Sequence, residues 1–109
     1  MSKYFIDPSN LKSIEISPGT LVRAAFGEKV TISFVRVPAG VHVSPTSHLP
    51  EQAGVCLDGS FEFTIGDEAR VLHKGDAYII PSGVPHSARG LETDATCVDV
   101  FYPQREDYR

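Results

Sequence analysis

Nine glycines and eight prolines interrupt this chain of 109 residues, too often for long helices. A proline removes a helical hydrogen bond and a glycine adds backbone freedom that folding must then remove. Between the interruptions the sequence is β-like. Val30-Thr31-Ile32-Ser33-Phe34-Val35-Arg36-Val37 alternates and is rich in β-branched residues, and so do Phe61-Glu62-Phe63-Thr64-Ile65 and Thr96-Cys97-Val98-Asp99-Val100-Phe101. Asp58-Gly59 and Gly66-Asp67 sit between apolar runs as hairpin turns. The pattern predicts strands near 20–26, 29–38, 53–57, 60–65, 69–73, 77–80, 85–89 and 95–102. Short strands recurring every roughly 8–12 residues with turns between them read as an all-β sandwich or barrel. The first 15 residues read as an N-terminal arm or edge strand, 16–109 as one barrel domain, and the last seven as a short tail.

A chain of this length supports one domain with one core. Its formal charge of -4, with ten basic residues scattered singly, leaves no footprint for a nucleic-acid backbone. No apolar run approaches the roughly 20 residues of a membrane helix. The start, Met-Ser-Lys-Tyr-Phe-Ile-Asp-Pro, lacks the apolar core of a signal peptide, so the expected location is cytoplasmic. Cys56 and Cys97 form neither a disulfide framework nor a CxxC pair, and in a reducing compartment they are expected to be buried thiols.

Two glycine-bounded stretches each carry a histidine near a β-hairpin signal. The first runs from Gly40 to Gly59 and contains His48 and Gln52; the second runs from Gly75 through Pro81-Ser82-Gly83-Val84-Pro85 to His86. Strand residues two apart share a face, so Gln52 and Cys56 share one unless a bulge intervenes, and His48 lies just before that strand. A small barrel would gather His48, Gln52 and His86 at its mouth. Imidazole nitrogen and amide oxygen are both competent ligands for a divalent transition metal, and three protein ligands with open positions suit a catalytic ion. His73 reads as a solvated loop histidine.

These motifs resemble those of the cupins. The first cupin motif is a glycine, five residues, His-x-His, three or four residues, a glutamate, six residues and a glycine; Gly40, His48, Gln52 and Gly59 fall in register with it, with glutamine in the glutamate place. Gly75, Pro81, Gly83 and His86 match the second motif at every position. The resemblance covers roughly residues 20–102 and implies a single-domain cupin β-barrel, the double-stranded β-helix or jelly roll. Thr46 stands where the first histidine ligand would be. The implied ligand set is therefore His48, Gln52 and His86, with Thr46 at the fourth place and one divalent ion (Zn, Ni, Mn, Co or Fe). His42 lies four residues before Thr46, roughly 13 Å along an extended strand, and could substitute only if Ser44-Pro45 bulged inward. The alternative is a cupin that has lost its metal and binds through the same groove.

A narrower resemblance lies in Asp99-Val100-Phe101-Tyr102-Pro103-Gln104-Arg105-Glu106-Asp107 and in His48-Leu49-Pro50-Glu51-Gln52. Small pectin-degradation cupins that linearise unsaturated uronates end in a similar Asp-x-Phe-Ser-Pro-x-Arg-x-Asp segment. The similarity implies a catalytic Asp99, with Phe101 and Arg105 lining the substrate pocket. Tyr102 departs from the family's serine. The implied activity is metal-dependent ring opening and tautomerisation of 4,5-unsaturated uronate monosaccharides to linear 4-deoxy-5-keto uronates, with Lewis-acid assistance from the ion, a proton carried by Asp99, the substrate carboxylate held by Arg105 and the sugar face packed on Phe101. Alternation places Cys97, Asp99 and Phe101 on one strand face; whether that face is interior, and whether Arg105 leaves the solvated tail, stay open at this stage. So do an Fe(II) dioxygenase, a polyketide cyclase or sulfoniopropionate lyase, and a non-catalytic small-molecule binder. The resemblance also implies a homodimer, for which Tyr4-Phe5-Ile6 would be a suitable apolar arm.

Overall fold

The computed structural model describes residues 2–109, in an all-β architecture of two antiparallel sheets. The strands are β1 (Ser13–Ser17), β2 (Thr20–Phe26), β3 (Thr31–Val37), β4 (His42–Thr46), β5 (Glu51–Asp58), β6 (Phe61–Ile65), β7 (Glu68–Leu72), β8 (Ala77–Ile80), β9 (His86–Gly90) and β10 (Ala95–Tyr102). One sheet has the order β1-β2-β3-β10-β5-β8 and the other β4-β9-β6-β7. This is the expected jelly roll. No helix among the described residues is long and apolar enough to cross a membrane.

Alternation sets what faces inward. Along β10, Ala95, Cys97, Asp99 and Phe101 are buried while their neighbours are not. The main core joins Val37, Cys56, Phe61, Phe63, Leu72, Tyr78 and Ile80 between the sheets. A smaller cluster of Val22, Phe101 and Tyr108 lies beside it. Cys56 and Cys97 oppose each other across β5 and β10 as free, buried thiols.

Two strands lie outside the predicted set. β1 falls across the boundary drawn between arm and barrel, and pairs with β2 at the rim of the larger sheet. β4 contains Pro45, which reads as a breaker. It is an edge strand, however, where a missing N–H costs no ladder bond. The expected tail is also more than a tail. Residues Glu106–Tyr108 form a 3₁₀ turn that buries Tyr108, and the Arg105 amide donates to Thr31 Oγ1 at 2.9 Å.

Asp94 fastens the loop between β9 and β10. Its Oδ1 accepts from the Ala39 amide at 3.0 Å and its other oxygen pairs with Arg36. The Ala39 hydrogen bond, then the Arg36 charge, hold its ionisation below the usual carboxylate range. A lowered native pKa gives stability that is present above the unfolded value and lost as pH falls through the native one. Asp94→Asn is expected to lower the urea midpoint at pH 7, with the gap to wild type closing as the solution is acidified below about pH 3.8. A gap that persists at pH 2 would mean the carboxylate's charge is not what matters.

Candidate metal centre and cavity

His48, in the loop before β5, and His86, the first residue of β9, are tied together through the backbone. The Gly83 amide donates to the His48 carbonyl at 2.9 Å. Gly83 takes φ +79°, a conformation that side-chain-bearing residues rarely adopt. The turn around it closes with the Val84 amide donating to Pro81 O at 3.2 Å and delivers His86 to the start of β9. The two imidazoles stand edge to face with centroids 4.8 Å apart. Gln52, buried near the start of β5, places Oε1 at 3.1 Å from His48 Nε2.

The hydrogen bonds determine where the lone pairs are. His48 Nδ1 donates to Pro50 O at 2.8 Å and His86 Nδ1 to Val84 O at 3.0 Å. A carbonyl only accepts, so each ring carries its proton on Nδ1 and a lone pair on Nε2. The Gln52 amide turns its oxygen toward His48. Two lone pairs thus meet at 3.1 Å between His48 and Gln52. A second proton on His48 would relieve the contact, but burial, then the Arg105 charge, push its pKa down. Burial lowers His86 as well. A cation held between them would relieve the contact, and two neutral imidazoles with one amide oxygen suit a divalent transition metal. Backbone carbonyls holding the far nitrogens are the usual support of such ligands. The donor set therefore fits the ion that the sequence motifs imply. Among the described residues no three His, Cys, Asp or Glu side chains gather as a metal group, so the set depends on the amide.

Thr46 sits directly opposite His86 in the β4–β9 ladder. The register slips by one between Val43 and Thr46, which is the bulge at Ser44-Pro45 whose possibility the sequence raised for His42. Its effect is different. Val43 opposes Ala88 and Thr46 opposes His86, so the extra residue turns Thr46 to the side of His86, while His42 opposes Arg89 and is exposed. Thr46→His is expected to add an imidazole at this centre and tighten divalent-ion binding by at least about tenfold, roughly 1.4 kcal/mol, in a competition titration. Unchanged affinity would contradict the placement of residue 46. His73 is exposed, 3.7 Å from Asp76.

A cavity of about 670 Å³ opens between β1 and β4, and Thr46, Gln52, Tyr78, His86, Asp99 and Arg105 line its polar side. Phe61, Phe63 and Val37 line the apolar side. Asp99 is interior, 4% exposed on the central strand β10. Tyr78 donates to its Oδ1 at 2.6 Å and the Cys97 thiol lies 3.9 Å from Oδ2. Burial raises its pKa; the hydrogen bond from Tyr78 works the other way. Arg105 is also drawn in, its side chain 12% exposed. It forks onto Asp107 at 3.0 and 3.1 Å, donates to the Tyr108 hydroxyl at 3.0 Å and stacks over the Tyr108 ring.

Phe101 stands against His48. It is 1% exposed and lies outside the cavity wall, with His48, Tyr108 and Arg105 against its ring. In this arrangement it backs His48 rather than offering a face to a sugar. His48 likewise stands outside the wall, reaching the centre through Gln52 and His86. Tyr78 and Tyr108 are the members that sequence reasoning missed. Ala77-Tyr78-Ile79-Ile80 is apolar throughout, so nothing in it marked Tyr78 as the inward residue that its burial shows; nothing in the tail signalled Tyr108.

Comparison with known proteins agrees with this fold. A family profile described as Cupin domain matches residues 33–101. The pectin degradation protein KdgF of Dickeya dadantii is 29% identical over 110 residues, spanning 99% of both chains. The solved structure of KdgF from Halomonas sp. superposes with a TM-score of 0.86 at 28% identity, covering 96% of this chain and 99% of that one. An RmlC-like cupin from Shewanella frigidimarina shares the fold with a TM-score of 0.87 at 23% identity, covering 99% and 97%.

Proposed function

Because the chain belongs to the cupin family, we propose that it opens and tautomerises 4,5-unsaturated uronate monosaccharides to linear 4-deoxy-5-keto uronates. The observation that carries this reading is Asp99, a buried carboxylate on the same cavity wall as Gln52, whose amide oxygen faces His48. An acid–base group thus adjoins the metal donor set. The full-length similarity to a pectin degradation protein supports the choice of substrate.

His48, Gln52 and His86 would hold the divalent ion, which supplies Lewis acidity toward substrate oxygens when bound. The remaining work falls to the chain. Ring opening breaks the C1–O5 bond and leaves an enol, whose proton must pass from oxygen to C4 as the 5-ketone forms. Asp99 carries that proton, and because the reaction is an isomerisation the carboxyl ends as it began. Arg105 receives the substrate carboxylate by exchanging it for Asp107, itself 63% exposed and so cheaply released to water. The apolar side of the cavity keeps bulk water from the reacting carbons. A volume of about 670 Å³ accommodates one monosaccharide. A homodimer belongs to the same reading: Tyr4 and Phe5 are each 84% exposed and want a cover.

The test is incubation of metal-loaded protein with an unsaturated galacturonate or mannuronate monomer, following the loss of its conjugated-alkene absorbance and identifying the product by NMR. Loss faster than spontaneous opening, with the linear keto acid as product, supports the proposal. A rate equal to the uncatalysed one would refute it.

A further inference from the structure

Asp99 belongs to a row of residues. β10, β5 and β8 lie side by side, and their registers set Asp99, Gly54 and Tyr78 abreast. Directly opposed residues of antiparallel strands share a face, so Tyr78 and Asp99 flank a glycine and meet across it. A Cβ built on Gly54 would stand 2.1 Å from Asp99 Oδ1 and 2.6 Å from Cε1 and Cζ of Tyr78. The Gly54 backbone is not in the left-handed region. What demands glycine here is the space taken by the tyrosine–carboxylate hydrogen bond, 2.6 Å long and buried.

Among the described residues no other side chain makes so short a hydrogen bond to Asp99. Ser33 opposes it on β3, but the buried Ser33 Oγ has no hydrogen-bond partner among the described residues. The Cys97 thiol approaches Oδ2 only to 3.9 Å. A carboxylate's terminal torsion is broad and roughly two-fold, so a weakly held aspartate would offer its oxygens indiscriminately. General acid–base catalysis depends first on the reach of one atom to one proton.

We infer that Tyr78 is a positioning residue for Asp99: its hydroxyl pins Oδ1 across the gap left by Gly54, so that Oδ2 is the oxygen presented to a molecule in the cavity. The kinetic consequence rests on the uronate reading; the pinned geometry does not.

Tyr78→Phe in the full-length, metal-loaded protein tests this. The expected result is a kcat lower by about tenfold or more, with KM within about twofold of wild type and bound metal unchanged. In an Asp99→Asn background the same substitution is expected to change kcat no further, and a second, additive loss would overturn the inference by showing that Tyr78 acts apart from Asp99. A crystal structure of Tyr78→Phe is expected to show the Asp99 carboxylate turned about its terminal torsion; a carboxylate unmoved overturns the inference whatever the substrate proves to be. Gly54→Ala is expected to repeat the kcat loss, and if that chain does not fold the tyrosine variant decides. Should the wild type leave uronates untouched, the substrate reading fails, while the carboxylate's orientation in Tyr78→Phe still decides the role of Tyr78.

Discussion

Replacing His86 by alanine is expected to strip the protein of stoichiometric divalent metal and, with it, of catalysed ring opening. His86 is one of two imidazoles whose Nε2 lone pairs the backbone carbonyls of Pro50 and Val84 leave free. With one imidazole gone, a single histidine and an amide remain. Loss of a supporting partner alone typically costs about 10–100-fold in metal affinity, and loss of the ligand itself is expected to cost more. The effect should be local. His86 opens β9 at the cavity wall, and the neighbouring turn is closed by backbone hydrogen bonds that the side chain does not make. Elemental analysis of protein purified without chelator, with circular dichroism as the control for folding, reads both quantities. A folded His86→Ala protein that keeps one ion per chain would place the metal elsewhere.

Asp99→Asn is expected to lower turnover by about 10²–10⁴-fold, the usual worth of a general acid–base group, while metal content stays at the wild-type level. The variant keeps the size of the side chain and an oxygen for the Tyr78 hydroxyl, and removes only the ability to carry a proton. Folding should not suffer. Burial raises the ionisation of Asp99 above the ordinary carboxylate range. A raised native value means stability that is complete below the unfolded pKa and is given up as pH rises through the native one. Asparagine never ionises, so metal-free Asp99→Asn is expected to melt at or above the wild-type temperature at neutral pH. Full turnover in this variant would remove Asp99 from the chemistry; a large drop in melting temperature would mean its role is structural.

The features legible in the sequence share a property: they follow from spacing alone. Period-two alternation put Asp99 on a face with Cys97 and Phe101, and that face is interior because it is turned to the second sheet, where Cys97 joins Phe61 and Phe63 in one core. The glycine–proline spacing of Pro81-Ser82-Gly83 foretold the turn that delivers His86. What was not legible depends on packing between distant segments. The bulge at Ser44-Pro45 inserts one residue with no marker other than a proline that reads as a breaker. Alternation gives the direction of Phe101 but not what covers it, and the cover is His48 together with a tail that folds back as Tyr108. Tyr78 and Gly54 are each unremarkable in sequence; only the three-strand register brings them abreast of Asp99.

The central claim is that two imidazoles and one amide oxygen share a cation. Anomalous scattering from crystals of the protein loaded with a single divalent transition metal tests it most directly. The expected map holds one strong peak within bonding reach of His48 Nε2, His86 Nε2 and Gln52 Oε1. A peak away from those three atoms, or metal-replete crystals in which His48 is hydrogen-bonded to Gln52 with no density between them, would contradict it.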